Sequence, residues 1–299
     1  MQVARSPLAS KKNRYYDIIP FDRNRVILNR PDLGEPNTYI NASWIDAPFQ
    51  LNKRYIATQG PIPSTIIDFW RMVVENNVGV IVCLAAEKEN GMEKCARYWP
   101  TGSQEVEVQF PTSGSGPQFS VNASSRKIIR LRNQEPERTD NDACCIVRRI
   151  LVEFIEQTPT GNQLQPRVLA SQTVTQLQFL GWADHGVPET ADQIFKLIGL
   201  ANQYQSLHTR PEATGPPPMI VHCSAGCGRT GTFCLIDCGM ELISQATREK
   251  DTVFQTDKNQ FDLVYEVTDA FRDQRSTMVQ ASSQFLFCYE ALWEYSQRH

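Results

Sequence analysis

Apolar and polar positions sort this chain into strand-like and helix-like stretches. Tyr55 to Thr58, Val78 to Leu84, Lys127 to Leu131, Cys145 to Glu153, Val174 to Phe179 and Met219 to Val221 read as strands. Helical runs are predicted at Thr65–Glu75, Ala191–Gln205, Thr230–Ser244, Gln260–Gln274 and Ser283–Gln297. Between them, Thr112–Ser120, Asn133–Asp142, Gln157–Gln165 and Thr209–Pro218 collect turn formers and charge and read as loops. Strands dominate the middle and helices the last third. The pattern predicts an α/β fold with a central, twisted, mixed β-sheet and helices on both faces.

One stretch carries chemistry. After the apolar Met219-Ile220-Val221 comes His222-Cys223-Ser224-Ala225-Gly226-Cys227-Gly228-Arg229-Thr230, and then the helical run. A strand, a tight loop and a helix start in that order direct backbone N–H groups and the positive helix end into one concavity. Ser224, Ala225, Gly226, Cys227 and Gly228 would form this anion cradle. Its field lowers the pKa of Cys223, so that a thiolate exists near neutral pH. The guanidinium of Arg229, six positions on, can grip two oxygens of a tetrahedral anion. Nucleophile, cradle and clamp together suit phosphoryl transfer through a cysteinyl-phosphate. The plainer reading, a buried cysteine in a glycine-rich turn, leaves the arginine and the flanking elements unexplained.

Composition narrows the alternatives. The 41% hydrophobic and 21% charged content of the 299 residues is that of a globular chain able to bury a sizeable core. A net charge of −3 gives no general pull toward nucleic acid or anionic membrane. No apolar run reaches the roughly 18–20 residues of a membrane helix. Met1 to Arg14 is polar and basic rather than signal-like, and the nine cysteines show no disulfide spacing. The expectation is a cytoplasmic protein, or one that enters the nucleus, with reduced cysteines. Cys234 and Cys238 read as core packing, and the Asn41 and Asn122 glycosylation patterns are discounted. Four histidines and no Cys-x2-Cys pair predict neither metal nor cofactor, and they weaken a Cys–His peptidase built from Cys223 and His185.

The loop resembles the His-Cys-x5-Arg-Ser/Thr signature of the protein tyrosine phosphatases. Further segments resemble the tyrosine-specific members in the family's order. They are Lys12-Asn-Arg-Tyr15, Asn37-Thr-Tyr-Ile-Asn-Ala-Ser43, Tyr55-Ile-Ala-Thr-Gln-Gly-Pro61, Asp68-Phe-Trp-Arg-Met72, Lys94-Cys-Ala-Arg-Tyr-Trp-Pro100, Trp182-Ala-Asp-His-Gly-Val-Pro188 and Gln280-x3-Gln284. The likeness spans roughly residues 10 to 298. It implies one catalytic domain over residues 1–299 with the phosphatase fold, acting as a monomer on phosphotyrosine-containing proteins. The stretch Arg275-Ser-Thr-Met-Val-Gln-Ala-Ser-Ser-Gln-Phe-Leu-Phe287 resembles fungal members that act on MAP kinases.

The resemblance also implies roles. Asp184 is the general acid for the tyrosine leaving group and then the base for water, which Gln280 and Gln284 position. Thr230 hydrogen-bonds the Cys223 thiolate as it leaves. His222 orients the loop, Trp182 and Lys94 are supporting residues of the site, Tyr15 lines the pocket wall, and Asp17 bonds the substrate backbone. The plainer alternatives are a helix-start threonine, a satisfied core histidine and a half-exposed tyrosine. Two other functions compete. A dual-specificity or lipid phosphatase shares the loop, but Ser224 to Gly228 carries no extra cation and Lys12-Asn-Arg-Tyr15 implies a deep pocket. A catalytically dead phosphotyrosine-binding protein draws support from Ala183, which stands where the family has proline. That alanine leaves the acid-bearing segment more conformers, so the expectation is an active but slower enzyme.

Overall fold

A computed structural model of the chain describes residues 1–28, 38–109, 126–160, 163–182, 186–208, 217–249 and 261–298. The first elements are α1 (Pro7–Ser10), β1 (Arg25–Ile27), β2 (Tyr39–Asp46), β3 (Arg54–Thr58), α2 (Ile66–Glu75) and β4 (Val80–Cys83). A two-stranded hairpin, β5 (Lys88–Glu89) and β6 (Met92–Glu93), stands apart from the main sheet. Then come β7 (Glu105–Gln109), β8 (Arg126–Asn133), β9 (Arg138–Asp140), β10 (Cys145–Thr160) and β11 (Gln163–Phe179). The last third holds α3 (Ala191–His208), β12 (Met219–His222), α4 (Gly228–Glu249), α5 (Leu263–Gln274) and α6 (Ser282–Arg298).

The sheet runs β1-β2-β3-β12-β4-β11-β10-β8-β7, with β9 paired on β10. Its centre is parallel, β12 between β3 and β4 and β4 beside β11, and its flanks are antiparallel. Period-two alternation divides the core. Val80 and Val82 of β4, with Met219 and Val221 of β12, pack toward α3 to α6. Ile81 and Ile220 point the other way, onto Phe69, Trp70, Met72 and Val73 of α2. Each such side chain contributes about 1.5–3 kcal/mol by full burial. Because β4 and β12 are covered on both faces, every one of their residues is buried. This fits the expected mixed sheet with helices on both sides.

The helices lie where periodicity put them, with ends shifted by a few residues; α4, for instance, runs on to Glu249. The expected loop Gln157–Gln165 is a correction. β10 and β11 stay paired there, with Gln157 opposite Pro166 and Thr158 opposite Gln165. Leu164 through Ser171 are exposed, so this end of the hairpin leaves the core and loses the alternation by which a strand is recognised. Inside the expected loop Asn133–Asp142 lies the short β9. Thr112–Ser120 and residues 209–216 of the last expected loop lie outside the described residues. Cys144 precedes β10 in a left-handed conformation, φ 46°. Asn41 is buried, its amide donating to the Ile18 carbonyl at 2.7 Å and the Asn13 side chain at 3.1 Å, so it is no glycan acceptor. Asn122 lies outside the described residues.

Candidate active site

β12 ends at His222 in the middle of the sheet, and the chain turns through Cys223–Cys227 into the N-terminus of α4. The turn is set by contacts on all sides. Gly226 has φ +73°, and a Cβ there would lie 2.1 Å from the Thr58 carbonyl oxygen at the end of β3. Only glycine meets both conditions. In front, the Gly60 N–H donates to the Ser224 carbonyl at 2.9 Å. Behind the loop lies Arg275, fully buried. Its Nε donates to the Gly226 carbonyl at 2.8 Å and its Nη2 to the Ala225 carbonyl at 3.0 Å. The guanidinium also donates to Asn41 Oδ1 at 2.8 Å and Ser43 Oγ at 3.1 Å, tying the loop to β2. With two loop carbonyls held at the back, the N–H groups are turned toward Cys223, and Gly226 N lies 3.2 Å from its sulfur.

Cys223 is 4% exposed. Burial pushes its thiol pKa up. The Thr230 hydroxyl, donating to Sγ at 3.4 Å, the backbone N–H groups of Cys227 and Thr230, and the charge of Arg229 outweigh burial, and the pKa falls below the ordinary thiol value. Burial dominates at Cys234, Cys238 and Cys288, whose thiols are pushed up, that of Cys238 to about 12. All four thiols are buried, so what sets Cys223 apart from these three is the set of donors and the charge around it, not exposure.

Arg229 is held by a residue that sequence reading missed. Its Nη1 and Nη2 donate to the two carboxylate oxygens of Glu89 at 2.7 and 2.8 Å, and Nη1 also reaches the Leu84 carbonyl at 3.1 Å. This fork-to-fork pair fixes the plane of the guanidinium. Glu89 ends β5, and the turn to β6 is Asn90-Gly91 with positive φ at both residues, 49° and 77°. Asn-Gly is the strongest short hairpin signal in a sequence, so a hairpin just before Lys94 was legible although the role of Glu89 was not. Arg275 and Tyr98 were missed as well. The Tyr98 hydroxyl lies 2.8 Å from Nε2 of His222, and the other ring nitrogen lies 3.1 Å from the Cys223 carbonyl. His222 is therefore a satisfied core histidine with one of its ring nitrogens against the backbone of Cys223.

Of the other expected residues, Tyr15 and Gln284 touch the segment from Ser224 to Gly228. The Tyr15 hydroxyl lies 2.8 Å from Ser224 Oγ. Its segment is fastened by Arg14, which donates to the carbonyls of Gly60, Pro61 and Glu93 at 3.0, 2.7 and 2.9 Å. Tyr16 and Asp17 follow, both exposed. Gln284 is buried against the start of α4, where a Cβ on Gly228 would come within 2.7 Å of its Oε1. That oxygen accepts the N–H groups of Gln280 and Ala281, each at 3.1 Å, while Gln280 itself is exposed. Lys94 is buried, and its backbone N–H donates to the Glu87 carbonyl at 2.9 Å. Trp182 is buried, pairs with Pro188 in a β-bridge, and donates its indole N–H to the Gly186 carbonyl at 2.9 Å. Ala183, Asp184 and His185 lie outside the described residues. Cys227 is buried, and burial raises its thiol pKa.

A thiol below its ordinary pKa, ringed by N–H donors and faced by a fixed guanidinium, is equipped to attack a bound tetrahedral anion. Known proteins resemble this chain in sequence and in fold. Residues 9–294 match the sequence model of the family described as Protein-tyrosine phosphatase. The human receptor-type tyrosine-protein phosphatase C is 33% identical over 294 residues, 98% of this chain and 19% of that protein. The human tyrosine-protein phosphatase non-receptor type 20 is 36% identical over 291 residues, 96% of this chain and 55% of that one. This chain thus spans from about a fifth to about half the length of these relatives. A solved structure of PTPN18 in complex with HER2 phosphopeptides superimposes with a TM-score of 0.71 at 30% identity, covering 99% of this chain and 91% of that one.

Proposed function

The chain belongs to the protein-tyrosine phosphatase family, and on that premise we propose that residues 1–299 are a catalytic domain that hydrolyses phosphotyrosine in proteins. The observation that carries the proposal is the Cys223 thiol, lowered in pKa at the focus of the loop's N–H groups and of Arg229. In the first step the Cys223 thiolate attacks phosphorus. The S–P bond forms, the P–O bond to tyrosine breaks, and Asp184 gives its proton to the departing phenolic oxygen. In the second, Asp184 takes a proton from a water positioned by Gln280 and Gln284. The water oxygen bonds phosphorus, and the P–S bond breaks to release phosphate and the thiolate, which Thr230 stabilises. Arg229 holds the equatorial oxygens throughout and grips hardest in the transition state.

Tyrosine selectivity follows from the pocket wall. Tyr15 stands over Ser224 of the loop, so a long phosphotyrosine reaches Cys223 while phosphoserine stops short. Asp17 takes the backbone of the bound peptide. The substrates are phosphotyrosine proteins, and the Arg275–Phe287 resemblance names MAP kinases among them. The domain acts as a monomer in the cytoplasm or nucleus; among the described residues no helix is long and apolar enough to cross a membrane.

The deciding experiment compares matched phosphotyrosine and phosphoserine peptides on the wild type, Cys223→Ser and Asp184→Ala. Only the phosphotyrosine peptide should be turned over. Cys223→Ser should bind it without turnover. Asp184→Ala should lose roughly 10²–10⁴ in kcat on phosphotyrosine and less on aryl phosphates with good leaving groups. Equal hydrolysis of both peptides, or residual turnover by Cys223→Ser above about 1%, overturns the reading.

A further inference from the structure

A cavity of about 350 Å3 lies between α5 and α6, bounded by Tyr265, Asp269 and Arg272 on one side and Gln280, Ser282 and Phe285 on the other. Gln280, which the proposed mechanism places in the catalytic set, lines the cavity, and its backbone N–H donates to Gln284 Oε1, the atom that lies against Gly228 at the start of α4. An aromatic strip continues from it along α6. Phe285 stacks edge-on against Tyr289 at 5.2 Å, and Leu286 and Trp293, at matching helical spacing, are 58% and 68% exposed. Tyr265, across the cavity, is 56% exposed. Contiguous exposed apolar area of this kind marks binding surfaces, and tyrosine and tryptophan dominate their energetics.

Carboxylates edge the strip. Asp262 accepts the Tyr289 hydroxyl at 2.5 Å, Asp269 faces the cavity, and Glu290 lies between Leu286 and Trp293 in sequence. From 262 to 298 six carboxylates (Asp262, Glu266, Asp269, Asp273, Glu290 and Glu294) outnumber three arginines. Of those arginines, Arg275 is buried behind the catalytic loop and Arg298 is paired with Asp192 and Glu294. Arg272 turns Nε and Nη2 onto the carbonyls of Met278 and Val279 at 3.0 and 2.7 Å. Arg272 thus stays on the exposed wall of the cavity with two of its donors engaged, and around the rings carboxylates remain in excess over arginines. This is the chemistry that holds long basic side chains, with their stems on apolar surface and their charge over a ring or against a carboxylate.

We propose that the α5–α6 face is a docking surface for a basic segment with an apolar anchor in the phosphotyrosine-bearing substrate itself. Continuity with the catalytic site through Gln280 selects the substrate as occupant. The proposal rests on the phosphatase reading and is tested so that the two can fail separately. The probes are phosphotyrosine peptides extended, on the N-terminal or the C-terminal side, by one phenylalanine flanked by four arginines, and twins with glutamine for arginine. One basic peptide should show a KM roughly tenfold below its twin at low salt, with equal kcat, and the advantage should shrink as salt rises. Trp293→Ala and Asp269→Lys, both at exposed positions, should abolish the difference and leave hydrolysis of a small aryl phosphate unchanged. Equal KM for both basic peptides and their twins, or a difference that survives both substitutions, overturns the docking surface. Fluorescence anisotropy of the unphosphorylated basic peptides supplies the independent readout. Binding lost in both variants, with no turnover of any phosphopeptide, would keep the surface and sink the activity.

Discussion

Cys223 and Arg229 are each tuned by a neighbour whose removal has a distinct signature. For Cys223 the tuning is by hydrogen bonds from Thr230 and the loop amides, which hold the thiol below its ordinary pKa against burial. Thiolate is the reactive form, and its fraction grows as pH rises through the pKa. Alkylation of Cys223 by iodoacetamide should therefore reach its plateau at a lower pH than alkylation of a free thiol. Thr230→Ala should move that plateau up. A profile that matches free cysteine would remove the activated nucleophile. For Arg229 the neighbour is Glu89. Glu89→Ala removes the two-pronged hold on the guanidinium plane of a buried arginine. We expect kcat to fall on the order of 10²-fold from misplacement of the clamp. Because the clamp acts on the equatorial oxygens, the loss should be alike for good and poor leaving groups, in contrast to the Asp184 variant. A leaving-group-dependent loss would instead tie Glu89 to proton transfer.

At the scale of elements, the catalytic loop is a strand–loop–helix unit shaped by residues far away in sequence. Gly226 allows no Cβ against Thr58, and Arg275 gathers two loop carbonyls, Asn41 and Ser43. Gly226→Ala should abolish turnover and lower Tm together. Arg275→Met strands several buried acceptors at about 1–3 kcal/mol each, so unfolding in urea should show a loss of about 3 kcal/mol or more. A stable Arg275→Met protein with full activity would mean that the loop holds its shape unaided. These contacts also explain what could be read in advance. Cys223, Arg229 and the two glycines sit within one short window whose residue types announce their chemistry. Glu89 and Arg275 do not, because a carboxylate or guanidinium becomes a loop-shaping group only through burial against partners on other elements. The distal half of the β10–β11 hairpin was misread for a related reason. Backbone pairing continues where side chains no longer alternate between core and solvent, and Pro159 and Pro166 resemble turn residues.

Across the whole molecule, the strand order places the catalytic turn at the end of the innermost parallel strand. β12 has β3 and β4 on its two sides, α2 below and α4 above, so its amides are shielded by every layer of the fold. Such groups exchange their hydrogens only when the whole domain opens. The amides of Ile220 and Val221 should therefore exchange with the free energy of global unfolding, while those of Gln157 and Gln165 in the exposed hairpin should exchange far sooner. Fast exchange at Val221 under native conditions would contradict this layering. The strand's place in the sheet also determines how the proposed activity would be lost. Because the Cys223 loop hangs from this central strand, collapse of the loop and denaturation of the domain become one event. Turnover and native tryptophan fluorescence should vanish at a single urea midpoint, leaving no folded but inactive species for a cell to clear.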